Sequence, residues 1–233
     1  MNFTKWTLAT CLATGCVSAK TLQKAEESGE QLRVELAETY VRKGALVAAL
    51  PLIQRLVAER PNDAHSHVLY ATVLRERSLY PQAAGQYRKA IELETGRAAA
   101  HAGLALTYDL MKQPEDAERE HLKALDLAPK NAEYWNNFGF SLFVIGKLDA
   151  AISAFEHALG LDPSLLIAYN NLGFAYGRKH DFENARRCFH AALGSESADW
   201  NLALAYEQNG NLPAAQELRQ RLDARRATRE GSQ

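Results

Sequence analysis

The amino-acid sequence predicts an all-α protein, a solenoid in which six helical pairs stack one on the next. Three observations predict this fold. From Glu30 onward, small and large apolar residues recur with a period of 34 residues. Within each period, the apolar residues follow the spacing of a helix face and not the alternation of a strand. Six of the seven prolines fall where one helix would end or the next would begin.

The period is clearest when each repeat is written as one row, so that residues at the same place in the repeat share a column and column 1 is the first residue. The predicted repeats span 30–63, 64–97, 98–131, 132–165, 166–195 and 196–229, and residues 230–233 form a tail. Small residues at columns 8 and 20 let the two helices of a pair approach closely, while large residues at columns 7 and 11 fill the space between pairs. Column 20 is alanine in every repeat: Ala49, Ala83, Ala117, Ala151, Ala185 and Ala215.

The fourth repeat resembles the tetratricopeptide repeat. Its residues run Trp135-x2-Phe138-Gly139-x2-Leu142, then Ala151-x3-Phe155, Ala158 and Pro163, beside the family pattern W-x2-L-G-x2-Y, A-x3-F and P. The resemblance extends over residues 30–229. It implies a right-handed superhelix of six helix-turn-helix repeats, in which the first helices line a concave face that binds a protein partner.

The prolines mark the helix boundaries. Three lie between one helical pair and the next, at Pro61, Pro129 and Pro163, and three lie in the first turn of a second helix, at Pro81, Pro114 and Pro213. Proline is tolerated in the first turn because the missing N–H has no helical partner there. Pro51 is the exception, since it lies inside the second helix of the first repeat and is expected to kink or shorten it.

The first 15 residues predict an export signal. Lys5 supplies a positive charge, and the apolar stretch that follows it is too short to span a bilayer. Residues 12–16, Leu-Ala-Thr-Gly-Cys, resemble a bacterial lipobox, although the leucine lies one position early. The resemblance implies cleavage after residue 15 and acylation (palmitate among the chains) of Cys16. The alternatives are an ordinary cleaved signal peptide and a cytosolic N-terminus.

Several further expectations follow from the same segment. Because Val17 and not aspartate follows Cys16, the lipobox resemblance implies transport to the outer membrane, facing the periplasm. Residues 16–29 are polar without an apolar period and are predicted to be a lipidated cysteine with a flexible tether. Cys188 then remains as a single thiol, predicted to be a small buried or half-buried helix residue and not a nucleophile.

A rank of amides beside aromatic residues marks the candidate binding groove in repeats four to six. An amide offers both donors and an acceptor to a peptide backbone, and aromatic rings supply contact area. The alternative is that the asparagines bond neighbouring repeats and that the phenylalanines belong to the core between them. The candidate groove residues are Asn136, Asn137, Phe140, Phe143, Asn170, Asn171, Phe174, Asn201 and Leu204.

Other features indicate neither catalysis nor nucleic-acid binding. The net charge is −1, which gives no bulk attraction to nucleic acid. No phosphate loop, metalloprotease motif or nucleophile elbow is present in the sequence, so the protein is predicted not to be an enzyme and to need no cofactor or metal. His67 and His101 share column 4 and are interpreted as packing residues. The last helix is either a solvated cap or a basic docking patch of Arg219, Arg221, Arg225 and Arg226.

A lipobox followed by six such repeats resembles two families of outer-membrane assembly lipoproteins: the pilotins of type IV pilus secretins and the Tad-type pilus assembly lipoproteins. Asn136–Gly139 is similar to a short stretch in pilotins. The resemblance implies a membrane-anchored scaffold whose groove captures a secretin or pilus subunit and assists its assembly or localisation. The alternative is a general adaptor for other envelope or secretion machinery, and an enzyme is the third hypothesis.

Overall fold

The computed structural model describes residues 19–230, with side-chain surroundings for Gly29 and for residues 31–228. Within that range the chain forms twelve helices and no strand. The helices are α1 (Ala19–Arg42), α2 (Leu46–Glu59), α3 (Ala64–Glu76), α4 (Tyr80–Leu93), α5 (Ala98–Leu110), α6 (Pro114–Leu127), α7 (Ala132–Val144), α8 (Leu148–Leu161), α9 (Leu166–Arg178), α10 (Phe182–Ala192), α11 (Ser195–Gln208) and α12 (Leu212–Glu230).

The helices belong to two compact units, one ending at Thr95 and the other beginning at Gly96. Unit 1 contains α1 to α4, and unit 2 contains α5 to α12. In unit 2 each helix packs against the next one in the chain. The first helices of the four pairs (α5, α7, α9 and α11) also contact one another in that order, so they form one continuous face of unit 2.

Four of the helices begin at the first residue of a predicted repeat. They are α3, α5, α7 and α9, which start at residues 64, 98, 132 and 166. Side-chain caps fix two of these starts: the Asp63 carboxylate accepts a bond from the Ser66 N–H at 2.9 Å, and the Asn131 amide oxygen accepts one from the Tyr134 N–H at 3.1 Å. Such caps satisfy backbone donors that have no partner inside the helix.

The two helices of each pair are joined through one residue with left-handed backbone geometry. It occupies column 15 in all six repeats, at Gly44, Ser78, Lys112, Gly146, His180 and Gly210, with φ between 57° and 84°. Glycine adopts this conformation freely, whereas a residue with a side chain pays about 1–2 kcal/mol. The reversal of the chain therefore depends on one backbone position per pair.

The small residues of columns 8 and 20 lie where the helices of a pair meet. Every alanine of column 20 is at most 2% exposed. A Cβ atom on Gly139 would lie 2.8 Å from the Phe155 ring, and one on Gly173 would lie 2.6 Å from the Phe189 ring. Both phenylalanines are fully buried, so glycine at column 8 makes room for a ring of the second helix.

The structure contradicts the flexible tether expected over residues 19–29 and the expected shortening of the helix that contains Pro51. Residues 19–29, assigned to a flexible tether, are helical and extend α1 toward the N-terminus. Alanine, lysine, glutamine and glutamate are strong helix formers, and these residue types make up most of the segment. Pro51 does not shorten α2, which has 14 residues like α4 and α6. Because proline has no N–H, the carbonyl of Val47 receives no helical hydrogen bond from position 51. Val47 is 92% exposed, so water can donate to that carbonyl instead.

The predicted lipobox, including Cys16, lies outside the described residues. Among the helices from Ala19 to Glu230, none is both long and apolar enough to cross a membrane.

Candidate functional site

The face formed by the first helices of unit 2 carries the residues that the sequence proposes as a groove. The nine side chains differ in exposure. Phe140 and Leu204 are exposed, at 47% and 37%, Asn136 is buried at 6%, and the other six are half-buried. The face is therefore open to a partner at some positions and committed to packing at others.

The asparagines bond one repeat to the next. The Asn171 side-chain N–H donates to the Asn136 oxygen at 3.0 Å, linking α9 to α7. The Asn201 N–H donates to the Asn170 oxygen at 2.6 Å, linking α11 to α9. These are the contacts that the alternative interpretation requires, so four of the five amides serve packing between repeats.

Asn137 is the one amide of the five that makes no bond between repeats. Its oxygen accepts a long bond from the Asn136 N–H at 3.4 Å, and its own N–H group has no partner among the described residues. The side chain is half-buried. Asn137 therefore keeps two donors for a ligand backbone, beside an amide ladder whose other members hold the repeats in register.

The three phenylalanines also divide between core and surface. Phe174 packs edge-on against the buried Phe189, with ring centroids 4.9 Å apart. Phe143 is covered by the Arg178 guanidinium, which lies 4.9 Å above its ring and donates to its carbonyl at 2.8 Å. Phe140 is the one of the three with an exposed ring, and it lies one helical turn after Asn137 on the same side of α7.

A cavity of about 390 Å³ opens where α5 and α7 end, beside Phe140. Its walls are mostly apolar, and its volume is in the range of pockets that hold small molecules. Sequence analysis missed this cavity. The available indication was that Leu110 and Val144, both apolar, share column 13, which faces the groove. The lining residues are Asp109, Leu110, Lys112, Pro114, Phe140, Ser141, Val144 and Ile145.

A polar network joins two residues of the cavity lining, Asp109 and Ser141, to the buried His121. The Ser141 hydroxyl donates to one oxygen of the Asp109 carboxylate at 2.6 Å, and the Nε2 atom of His121 lies 2.9 Å from the other. His121 is only 2% exposed. Because the serine donates to the carboxylate and not to the imidazole, the three groups do not form a serine–histidine nucleophile pair. The network instead fixes the ends of α5 and α7.

Trp200 is a second residue that sequence analysis missed. It occupies column 5 of the sixth repeat, the column that holds asparagine in the two repeats before it. Its indole is 39% exposed, and the Arg219 guanidinium lies 5.8 Å from the ring centroid. Trp200 adds aromatic surface at the far end of the face, next to Leu204.

The arginines of the last helix are engaged in ion pairs. Arg219 donates to Glu207 at 2.7 Å, Arg225 donates to Asp199 at 3.2 Å, and Arg221 pairs with Glu217; Arg226 also has a partner. Three of the four arginines are thus ion-paired within unit 2, while Ala215 and Leu222 of the same helix are buried. These contacts favour the solvated cap over the basic docking patch.

The remaining candidate groups have structural surroundings. The two ring nitrogens of His67 lie within 3.0 Å of Gln86 and of the Pro61 carbonyl, and His101 lies 2.7 Å from Glu120. Between residues 19 and 230, no three potential metal-ligating side chains come together. Cys188 is buried, as predicted. Burial, with the nearby Glu156 and Asp181, raises the pKa of its thiol to about 11, so almost none of it is the reactive thiolate at neutral pH.

Comparison with known proteins defines the class of this fold. Residues 132–165 and 170–228 match models of the tetratricopeptide repeat. Both matched segments therefore contain repeats of this kind, and the all-helical architecture of the described residues is a solenoid of that type, as the sequence predicts. Proteins with such repeats are typically scaffolds for protein–protein interaction, without catalysis of their own.

Two curated relatives have similar sequences. The type IV pilus assembly protein PilF of Pseudomonas aeruginosa is 28% identical over 142 residues, which is 58% of this chain and 56% of that protein. The tetratricopeptide repeat-containing protein trd-1 of Caenorhabditis elegans is 28% identical over 157 residues, or 67% of this chain and 20% of that protein. The chain thus spans little more than half of PilF and a fifth of trd-1.

Solved structures show the same fold. A structure of P. aeruginosa PilF superposes with a TM-score of 0.69 at 16% identity, covering 86% of this chain and 93% of that one. YrrB, a TPR protein with an unusual peptide-binding site, superposes with a TM-score of 0.57 at 21% identity, covering 73% of this chain and 90% of that one. At these identities the likeness concerns the architecture.

Proposed function

We propose that this protein is a lipid-anchored scaffold that assists the assembly or outer-membrane localisation of a pilus or secretion secretin. The observation that carries the proposal is the open stretch of α7, where the exposed Phe140 lies beside the free amide donors of Asn137 and a cavity with apolar walls. Similarity to PilF, a pilus assembly protein by name, supports the choice of partner. Under this proposal the groove of unit 2 captures a segment of the secretin or of another pilus subunit.

The properties of the face suit capture of a protein segment. Large apolar side chains at its surface, including Phe140, Val144 and Leu204, are 37–62% exposed, and their burial by a partner would supply a driving force of about 25 cal/mol per Å². The amide ladder and the caps hold the helices rigid, which lowers the entropy cost of binding. The mechanism is stoichiometric: the scaffold binds and positions its client, with no bond made or broken.

The anchor is tested by replacing Cys16 with serine. We expect Cys16→Ser to move the protein from the membrane fraction to the soluble periplasmic fraction, because serine cannot receive the acyl chains that bind the bilayer. Fractionation followed by immunoblotting measures the change, and Cys188→Ser is the matched control, since it removes a buried thiol. If Cys16→Ser stays with the membranes as the wild type does, the anchor is not at Cys16.

The groove is tested by crosslinking in cell envelopes followed by pull-down. The double variant Asn137→Ala plus Phe140→Ala is expected to recover about tenfold less of its secretin or pilus partner, because it removes two donors and the exposed ring. The melting temperature should stay close to that of the wild type, since Phe140 is 47% exposed.

The matched control for this experiment is Leu122→Ala plus Gln216→Ala. Leu122 is also 47% exposed, but both residues lie on second helices, away from the groove. Equal recovery of the same partners by wild type and groove variant would show that this face does not bind them. Recovery of cell-wall enzymes in place of secretin or pilus subunits would point to a general envelope adaptor instead.

A further inference from the structure

The cavity at the ends of α5 and α7 has the features of a specificity pocket within the groove. Leu110 and Val144 are 51% and 62% exposed, and Ile145 is 40% exposed, although all three line the same concave space. An apolar wall of this kind is costly in water unless a partner covers it. The pocket belongs to unit 2 alone, so its shape is fixed by the packing of two adjacent helical pairs.

The polar groups of the pocket restrict what can fill it. The two oxygens of Asp109 are already engaged by Ser141 and His121, so apart from Lys112 the lining offers few unmet donors or acceptors to a polar metabolite. The gain available to an occupant is burial of apolar surface. The cavity of about 390 Å³ has room for a bulky apolar side chain, such as that of leucine, phenylalanine or methionine, and its apolar walls match the chemistry of that side chain.

One cation in the lining of the pocket has no ion pair among the described residues. The ammonium group of Lys112 makes no ion pair within residues 31–228, whereas the other lysines near this edge are paired, Lys147 with Glu118 at 2.8 Å and Lys179 with Asp149. Lys112 also holds the left-handed turn position, with φ of 57°, where glycine would be less strained. A single unmatched cation beside an apolar pocket favours a carboxylate next to the apolar anchor.

We infer that this pocket selects the segment bound by the groove, by taking one bulky apolar side chain of the partner and pairing Lys112 with an aspartate or glutamate beside that anchor. The inference rests on the proposed function, because it gives the chemistry of the captured segment. Asn137, Phe140 and Val144 lie on one side of α7 at intervals of three and four residues. The segment would therefore run along α7, with Asn137 bonding its backbone and the pocket holding its anchor.

Selection from random 12-residue peptides displayed on phage, against the full chain in detergent micelles, tests the inference without any envelope partner. The selected peptides are expected to share a leucine, phenylalanine or methionine with an acidic residue within about three positions. Binding of the synthetic peptides is then measured by fluorescence polarisation. Val144→Glu, which places a charge in the pocket wall, is expected to weaken binding at least about tenfold, and Leu122→Glu is the matched control outside the pocket.

The charge is tested by reversal. Lys112→Glu is expected to weaken the acidic peptides about fivefold and to recover affinity for peptides in which the acidic residue is replaced by lysine, whereas Lys123→Glu, on the outer surface of α6, should do neither. The inference is wrong if no peptides are selected, if they lack the anchor and the acid, or if Val144→Glu binds them as the wild type does. It is also wrong if Val144→Glu turns a wild-type dimer into a monomer, because a second copy then covers the pocket. In each of these cases the crosslinking experiment still decides the proposed function separately.

Discussion

Replacing Phe189 with alanine is expected to lower the free energy of unfolding of unit 2 by about 3–5 kcal/mol. The ring is fully buried, lies against the backbone of Gly173 and packs edge-on with Phe174. Its removal leaves a cavity between α9 and α10 that the surrounding helices can fill only in part. Urea denaturation followed by circular dichroism measures the shift of the midpoint.

The control for this prediction is Phe140→Ala, which removes the same ring from an exposed position and should change stability by no more than about 0.5 kcal/mol. A second test uses Gly173→Ala, whose added methyl group meets the Phe189 ring in the wild type. It should cost less in the Phe189→Ala background than in the wild type, because the obstructing ring is gone. Equal losses for Phe189→Ala and Phe140→Ala would contradict the packing described for α9 and α10.

Asp109→Ala is expected to cost about 2–4 kcal/mol, because it leaves both the Ser141 hydroxyl and the His121 imidazole without their acceptor in a buried site. Asp109→Asn should cost less, since its amide keeps an acceptor for Ser141. Asp126→Ala removes an exposed carboxylate from α6 and serves as the matched control. Thermal and urea unfolding of the three variants measure the differences, and an Asp109→Ala protein as stable as Asp126→Ala would show that the network contributes nothing.

The helical pairs could be predicted because the stacking of repeats requires the same residue type at the same column of each repeat. Alanine at column 20 and glycine at Gly139 and Gly173 record where two helices touch, and these contacts recur along the chain. The helical start of α1 could not be predicted in this way. Its residues are good helix formers without an apolar period, and the same composition is typical of a flexible tether.

The candidate site was predictable only in outline. The recurrence of asparagine at columns 5 and 6 predicted a face with amides, but ligand binding and bonding between repeats require the same residues. Geometry separates them, since Asn136, Asn170, Asn171 and Asn201 bond across repeats while Asn137 keeps its donors. The network of Asp109, His121 and Ser141 joins residues from three helices. His121 occupies the column of Phe155 in the A-x3-F pattern, so the repeat predicts a packing residue there and not a hydrogen bond to Asp109.

The single left-handed residue in each pair has a consequence for how this chain can vary. Because the hairpin geometry depends on the backbone of column 15, its side chain is left free to differ, and the six repeats indeed carry glycine, serine, lysine or histidine there. Column 15 is thus a position where the side chain can be replaced while the backbone turn stays the same. A fluorophore or a crosslinker attached at Ser78 or His180 would therefore lie at an exposed turn, outside the core.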